Sequence, residues 1–348
     1  MKQQNISFAN INSTLKHIIL FVLTFFTVSI AGAAWIGIDY TDLYNIHYGF
    51  EYATLLLIFL SAHEFGHYFA SRIHKVDCTL PYYIPFPPFP GVPNFGTMGA
   101  VIKTSTPIPN RKALFDIGAA GPIAGLIVSI IYLIVGFSTL PDISYLYSIH
   151  PEYQYLTELP KTGLHFGDTL LYYLFSLFIP SSGVFVPPMN EMYHYPLLNI
   201  GWFGLFVTSL NLLPIGQLDG GHIIYAMFGD KQKTIGKYFW LFILILGSGS
   251  LLSLAQELLN YDSANSLVMN LQDLLLPAIA NVKQVFPFYY WAWGGWLFWA
   301  LITKYFIKIP HPPIYDQEPI GTARMIIGWI VIIFMLLIFS PNGLYFIE

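Results

Sequence analysis

The chain alternates between long apolar runs and short polar segments, and the length of these runs predicts helices that cross a membrane. A helix needs about 20 predominantly apolar residues to cross the hydrocarbon core of a bilayer. Runs of this kind lie at 15–37, 50–72, 113–137, 236–258, 286–308 and 322–340. Polar residues interrupt a seventh run at 197–228, and the run at 170–179 is too short to span, which favours an interfacial or re-entrant helix. The pattern therefore predicts seven spans.

Composition supports this interpretation. Hydrophobic residues make up 55% of the 348 residues and charged residues only 10%, whereas soluble domains carry roughly 25% charged residues. We expect an all-α polytopic membrane protein embedded in a lipid bilayer. The sequence has no basic run and no glycine-rich phosphate loop, so neither a nucleotide nor a nucleic acid is an expected partner.

The distribution of lysine and arginine predicts the orientation, because cytoplasmic loops are enriched in these residues. With the N-terminus inside, Lys161 and Lys283 are the only two of the 15 basic residues on the outer side. The absence of an Arg-rich, Ser-rich transit segment favours a bacterial inner membrane. One alternative stays open, because Lys16, the apolar run and Ala31-Gly32-Ala33 imitate a cleavable signal peptide over residues 1–33.

The second apolar run contains the pattern His63-Glu64-Phe65-Gly66-His67. On a helix, positions i and i+4 project from one face, so the two histidines can hold one ion while Glu64 lies beside them. Ionisable residues inside a bilayer are costly and usually serve a site. The alternative is a polar cluster that packs helices together. Since Cys78 is the single cysteine, a metal here needs His and carboxylate ligands.

Asp219 is the strongest candidate for a third ligand. It lies in a segment, 211–221, where Pro214 and several glycines should break the helix, and broken helices at membrane depth line cavities or binding sites. Helical rise places Asp219 and His67 at a similar depth, roughly 8 to 18 Å from the cytoplasmic surface. Asp116 is predicted to cap the third helix instead, and Glu257 falls at the wrong end of its span.

Taken together, the patterns His-Glu-x-x-His and Asn-x-x-Pro-x-x-x-Leu-Asp-Gly resemble those of the site-2 protease family. The resemblance extends over about residues 50–230 and is closest to the branch of bacteria and plastids that lacks a PDZ domain. It implies a zinc metalloprotease with one Zn²⁺ per chain, ligands His63, His67 and Asp219, and Glu64 as general base. The expected substrates are single-span membrane proteins, cleaved within or near their transmembrane segments.

The resemblance also implies a membrane-associated β hairpin between spans two and three. The stretch Thr97 to Thr104 can form a strand whose exposed edge binds unwound substrate; a proline-rich cytoplasmic loop over 76–112 is the alternative. Asn211, Gly96 and Gly99 are the candidate substrate-binding residues.

Several other residues are predicted to be structural. Gly118, Gly121 and Gly125 should allow close helix packing, and His222 should neighbour the metal without binding it, because a fourth protein ligand would close the site. The remaining histidines that we expect to be solvated or structural are His74, His150, His165, His194 and His311.

These features divide the chain into an N-terminal segment with the first span (1–49), a catalytic core (50–230) and C-terminal helices (231–348). A metal-ion transporter and a non-catalytic chaperone for membrane proteins remain alternatives. A peptidase of the type that cleaves prenylated peptides would require Glu257 as the third ligand.

Overall fold

The computed structural model describes residues 8–87, 94–261 and 265–347, and most of them are helical. Apart from short 3₁₀ and π-helical turns, the helices are α1 (Phe8–Trp35), α2 (Phe50–Ile73), α3 (Arg111–Ser138), α4 (Ser144–Ile149), α5 (Leu170–Phe178), α6 (Pro196–Asn211), α7 (Asp219–Phe228), α8 (Lys231–Ser248), α9 (Ser250–Leu259), α10 (Ser266–Val285), α11 (Pro287–Tyr290), α12 (Gly295–Ile302) and α13 (Thr322–Ile338). The strands are β1 (Tyr82–Pro85), β2 (Thr97–Val101), β3 (Gly163–Phe166) and β4 (Leu344–Ile347).

Three helical segments among the described residues are long and apolar enough to cross a membrane: Thr14–Trp35, Arg111–Ser138 and Lys231–Leu259. The sequence predicted seven spans. Of the other predicted spans, α2 contains polar residues that lower its hydropathy, and seven residues separate α6 from α7. Helix α13 is unbroken but only 17 residues long. The predicted span at 286–308 forms α11, α12 and a π-helical turn, Thr303–Ile307. The helix at 170–179 is confirmed as the short α5.

Helix α3 lies at the centre of the fold and packs against α2, α6 and α7. Its buried face includes Gly118, Gly121 and Gly125, where the missing side chains let neighbouring helices approach closely. Asn110 caps its first turn by accepting a hydrogen bond from the backbone N–H of Ala113. The prediction that Asp116 caps this helix is wrong, because Asp116 lies more than one turn inside it and instead bonds Arg324 and His74.

The hairpin predicted between the second and third helices is present. Strands β1 and β2 pair antiparallel, with an irregularity between Tyr83 and Pro85. Strand β2 ends at Val101 and is shorter than the predicted Thr97 to Thr104. The hairpin contacts both α1 and α2, and residues 88–93, which hold several of its prolines, lie outside the described residues. The proline-rich segment is therefore organised as a small sheet rather than as a loop alone.

Two features of the fold had no counterpart in the sequence-based prediction. Helix α10 follows the fourth apolar run, and β3 pairs antiparallel with β4, far away in the chain. The pairing of Phe166 with Leu344 brings the two segments together, and Gly167 donates a backbone hydrogen bond to the carbonyl of Gly343 at 2.6 Å.

Candidate metal centre

His63 and His67 lie on one face of α2, as their spacing requires. Both side chains are buried, and their Nε2 atoms are 3.1 Å apart. Glu64 follows directly and is also buried, with 7% of its surface exposed. The helix therefore holds two imidazoles and one carboxylate in a small volume inside the protein.

Asp219 completes the group from a different helix. It is the first residue of α7, and its Oδ2 lies 3.4 Å from His63 Nε2 and 3.3 Å from His67 Nε2. Tetrahedral zinc with bonds of about 2.0–2.1 Å separates its ligand atoms by roughly 3.3–3.4 Å. The three separations agree with that value to within a few tenths of an ångström, so the donor atoms fit zinc. The structure thus brings together the three predicted ligands, whereas Glu257 is exposed on α9 and not part of the group.

The orientation of His67 is fixed by the backbone of α3. Its Nδ1 lies 2.7 Å from the carbonyl oxygen of Ile117, and since a carbonyl only accepts, Nδ1 carries the proton. The lone pair of Nε2 then points towards Asp219, which is the arrangement that a metal ligand needs. Among the described residues His63 Nδ1 has no hydrogen-bond partner, while Asn211 Nδ2 lies 3.4 Å from His63 Nε2.

The glycines of α3 form the surface against which these histidines pack. A side chain at Gly121 would overlap the imidazole of His67. One at Gly125 would come within 3.2 Å of His63 Nδ1, and one at Gly118 within 2.7 Å of His222 Cβ. The predicted close packing is therefore present. The spacing of the glycines alone did not reveal that the histidine side chains are what packs against them.

The break between α6 and α7 positions Asp219. Pro214 lies within it, and Gly216 has a φ of +53° with the Lys308 carbonyl against its Cα, so only glycine fits. The buried amide of Gln232 donates hydrogen bonds of 3.0 Å to the carbonyls of Pro214 and Ile309. The same amide accepts a bond of 2.9 Å from the backbone N–H of His311. Gln232 therefore holds the broken segment in place, a role that the sequence did not suggest.

His222 neighbours the centre without joining it. Its Nδ1 lies 2.8 Å from His311 Nε2, and the His311 ring stacks on Tyr225 at 4.4 Å. His222 is not in the group formed by His63, His67 and Asp219. Both histidines are thus engaged with each other, in line with the structural role expected for them.

The β hairpin lies beside Glu64. Strand β2, which ends just before Ile102, packs against α2, and Ser61 on the preceding turn of α2 is 2.7 Å from the Tyr83 hydroxyl. Gly99 has open space around its Cα, whereas Gly96 packs against α1 and accepts a 2.7 Å hydrogen bond from Thr27. Of the two predicted glycines, Gly99 is thus the one with open space beside it.

A second group of potential ligands lies elsewhere in the chain. His150, Glu191 and His194 bring two imidazole nitrogens and a carboxylate oxygen within 4.8 Å of one another. Glu191 and His194 are each 3% exposed, although His150 and His194 were both predicted to be solvated or structural. The only local signal is the pattern Glu191-Met192-Tyr193-His194, because His150 joins the pair through the tertiary fold.

Comparison with known proteins identifies the family. Residues 51–247 match the model of peptidase family M50. Relatives include the probable zinc metalloprotease EGY1 of Arabidopsis thaliana, 31% identical over 190 residues, which are 53% of this chain and 31% of the relative. The EGY1 protein of Oryza sativa is 34% identical over 177 residues, 50% of this chain and 27% of the relative. No solved structure matches the chain significantly.

The chain belongs to peptidase family M50, because the family model covers more than half of it. It spans about a third of the length of these two relatives. Their names place them in chloroplasts, so they lend no support to the predicted bacterial inner membrane. The apolar helices indicate association with a membrane.

Proposed function

We propose that this member of peptidase family M50 is an intramembrane zinc metalloendopeptidase that hydrolyses peptide bonds within or near the transmembrane segments of single-span membrane proteins. The observation that carries the proposal is the meeting of His63, His67 and Asp219, with ligand atoms 3.1–3.4 Å apart and Glu64 beside them. Three protein ligands leave one position free, as in catalytic zinc sites.

Glu64 is the general base of the proposed reaction. When bound, zinc supplies a Lewis acid that polarises the scissile carbonyl and lowers the pKa of the attacking water to about 7. The Glu64 carboxylate takes the proton of that water and delivers it to the nitrogen of the leaving amine. Glu64 is available as the base because the other three residues hold the ion.

Asn211 orients the reacting groups. It is the last residue of α6 and lies next to His63 without belonging to the ligand group. Its amide can donate to the oxygen of the scissile carbonyl, on which negative charge develops during attack.

The substrate binds along β2. A helix hides its backbone groups in its own hydrogen bonds, so it must unwind before a carbonyl reaches the centre. Within the described residues β2 pairs only with β1, which leaves its other edge for an added strand. Met98 on β2 is 70% exposed, and the strand leads directly to Ile102 and Glu64. A segment paired with β2 is therefore carried towards the centre.

Contacts between distant segments support seven crossings with the N-terminus on the cytoplasmic side. Arg111 and Lys112, assigned to the inner side, bond the Gln317 carbonyl and the Glu318 carboxylate. On the outer side β3 pairs with β4. Each contact joins two segments that the seven-span arrangement assigns to the same side of the membrane. An additional span between two such segments would place them on opposite sides. The crossings are α1, α2, α3, α6 with α7, α8 with α9, α11 with α12, and α13.

The decisive experiment compares the purified wild-type chain with Glu64→Gln for cleavage of a panel of single-span substrates in detergent, with bound zinc measured in both. We expect Glu64→Gln to keep its zinc and to lose cleavage by about 10²–10⁴-fold, the range for a general base. Glu257→Gln is the matched control and should behave as wild type.

The outcomes also separate the alternatives. A chain that transports ions or acts as a chaperone would not cleave the panel, and zinc transport into vesicles by both wild type and Glu64→Gln would favour the transporter. Loss of zinc in Glu257→Gln but not in Asp219→Ala would show that Glu257, and not Asp219, is the third ligand. That result would overturn the proposal.

A further inference from the structure

The group formed by His150, Glu191 and His194 has the geometry of a metal site. His150 Nε2 lies 3.1 Å from His194 Nε2, and Glu191 Oε2 lies 3.7 Å from His150 Nε2 and 3.5 Å from His194 Nε2. Ligands of tetrahedral zinc are separated by roughly 3.3–3.4 Å. These separations lie on both sides of that value and differ from it by at most a few tenths of an ångström.

The protons of the group are placed so that lone pairs face its centre. His194 Nδ1 lies 2.8 Å from the backbone carbonyl of Trp35, so Nδ1 donates and Nε2 presents its lone pair. The same kind of hydrogen bond, from Nδ1 to a backbone carbonyl, orients His67 at Ile117. His150 Nδ1 lies 3.5 Å from Glu152 Oε1, which orients the second ring in the same sense. A carbonyl or carboxylate behind each imidazole is the usual support of a metal-binding histidine.

Glu191 supplies a buried carboxylate with one oxygen held and one free. Its Oε1 accepts a hydrogen bond of 3.0 Å from the Tyr153 hydroxyl. Oε2 has no hydrogen-bond partner among the described residues.

The charge of Glu191 also lacks a permanent counter-ion. Within 4.0 Å of its carboxylate, the described part of the chain offers no lysine or arginine, only the two histidines. Burying a carboxylate without a charged partner is unfavourable, whereas a divalent cation between the three side chains would neutralise it and satisfy Oε2.

We propose that His150, Glu191 and His194 bind a divalent transition-metal ion, zinc above others, in a second centre separate from the first. Two imidazoles and a carboxylate suit zinc, and the half-buried His150 leaves a route for the ion and for a water ligand. Three protein ligands leave a position for water here as well, but the neighbouring Glu152 is 65% exposed and does not correspond to the buried Glu64 of the first centre, so we assign the second centre a structural role. It joins the segment after α4 to the turn before α6.

The test is the number of zinc ions that the purified full chain keeps after loading with Zn²⁺ and removal of the excess. We expect two per chain in wild type and one in His150→Gln or Glu191→Gln. His47→Gln, a change of an exposed histidine also assigned to the outer side, is the matched control and should keep two. His67→Gln, which lacks a ligand of the first centre, should keep one, and His67→Gln combined with His150→Gln should keep none.

A second measurement distinguishes loss of the metal site from unfolding of the variant. In the His67→Gln background, adding Zn²⁺ should raise the midpoint of thermal unfolding, and His150→Gln should abolish that increase while the metal-free midpoints stay close.

The two proposals fail in different ways. One ion in wild type and in His150→Gln, with none in His67→Gln, would overturn the second centre and leave the proposed protease intact. One ion in wild type and in His67→Gln, with none in His150→Gln, would support the second centre and count against the first.

Discussion

The two groups of histidines and carboxylates lie near opposite ends of α6, and they are built in different ways. The first group takes two of its members from one turn of a regular helix, and the third begins another helix. In the second group, all three residues lie in short turns outside the long helices. Helix α6 starts at Pro196, two residues after His194, and ends at Asn211, next to His63. At 1.5 Å per residue, about 25 Å therefore separates the two groups.

The difference between the groups follows from what surrounds each carboxylate. In the first group Asp219 faces the imidazoles while Glu64 stays outside the ligand set, so the Glu64 carboxylate remains available as a proton acceptor. In the second group Glu191 is the facing carboxylate, and Tyr153 occupies its other oxygen. Two histidines and a carboxylate therefore suit catalysis in the first group and only ion binding in the second group.

The largest effect on cleavage is expected for Asp219→Ala. Removing one of three ligands should empty the first centre and reduce cleavage to background, while the second centre keeps its ion. Bound zinc should fall from two ions per chain to one. Two ions retained in this variant would contradict the assignment of Asp219 as a ligand.

Gly121→Ala should lower cleavage by about 10²-fold, because a shift of about 1 Å at a reacting centre has an effect of that order. The added methyl group overlaps the His67 ring, which must move. Gly136→Ala, on the same helix, meets mainly the flexible Leu198 side chain and Leu197 Cβ and should be far milder. Cleavage rates and zinc content of both variants test this, and equal losses would point to a general effect on α3.

Gln232→Leu should reduce stability by about 1–3 kcal/mol for each buried polar group left unsatisfied, with a smaller loss of cleavage. The variant removes the hydrogen bonds that hold Pro214 and Ile309. Thermal unfolding and cleavage are the measurements, and Gln154→Leu in the turn before Leu156 is the control. A normal midpoint would show that the broken segment holds its shape without Gln232.

Tyr153→Phe should leave cleavage unchanged and weaken zinc binding at the second centre by about 10–100-fold, the usual effect of losing a group that supports a ligand. Tyr155→Phe is the matched control, since Tyr155 is 88% exposed. Competition with a chelator in the His67→Gln background measures the affinity. An unchanged affinity would mean that the Tyr153 hydroxyl does not support Glu191.

Local sequence patterns predicted the first group and missed the second for a physical reason. The spacing of His63 and His67 already determines their relative placement on a helix, and Pro214 with its glycines predicts the break before Asp219. No local rule connects His150 to Glu191 and His194, which meet only after the chain has folded. The same holds for Gln232, whose partners are distant in sequence.

The strand around Thr97 was expected from the resemblance to the site-2 protease family rather than from a local pattern. The pairing of β3 with β4 was not expected, since each strand is four residues long and depends on the other. The apolar runs located most helices but not their interruptions, such as those within 286–308.

The pairing of β3 with β4 has a consequence for the time course of biosynthesis. Strand β4 is made roughly 180 residues after β3, so at about 5–20 residues per second β3 waits on the order of 10–40 s for its partner. During that interval its backbone groups form an unpaired edge of the kind that promotes aggregation. A nascent chain that stalls before Leu344 would keep this edge exposed.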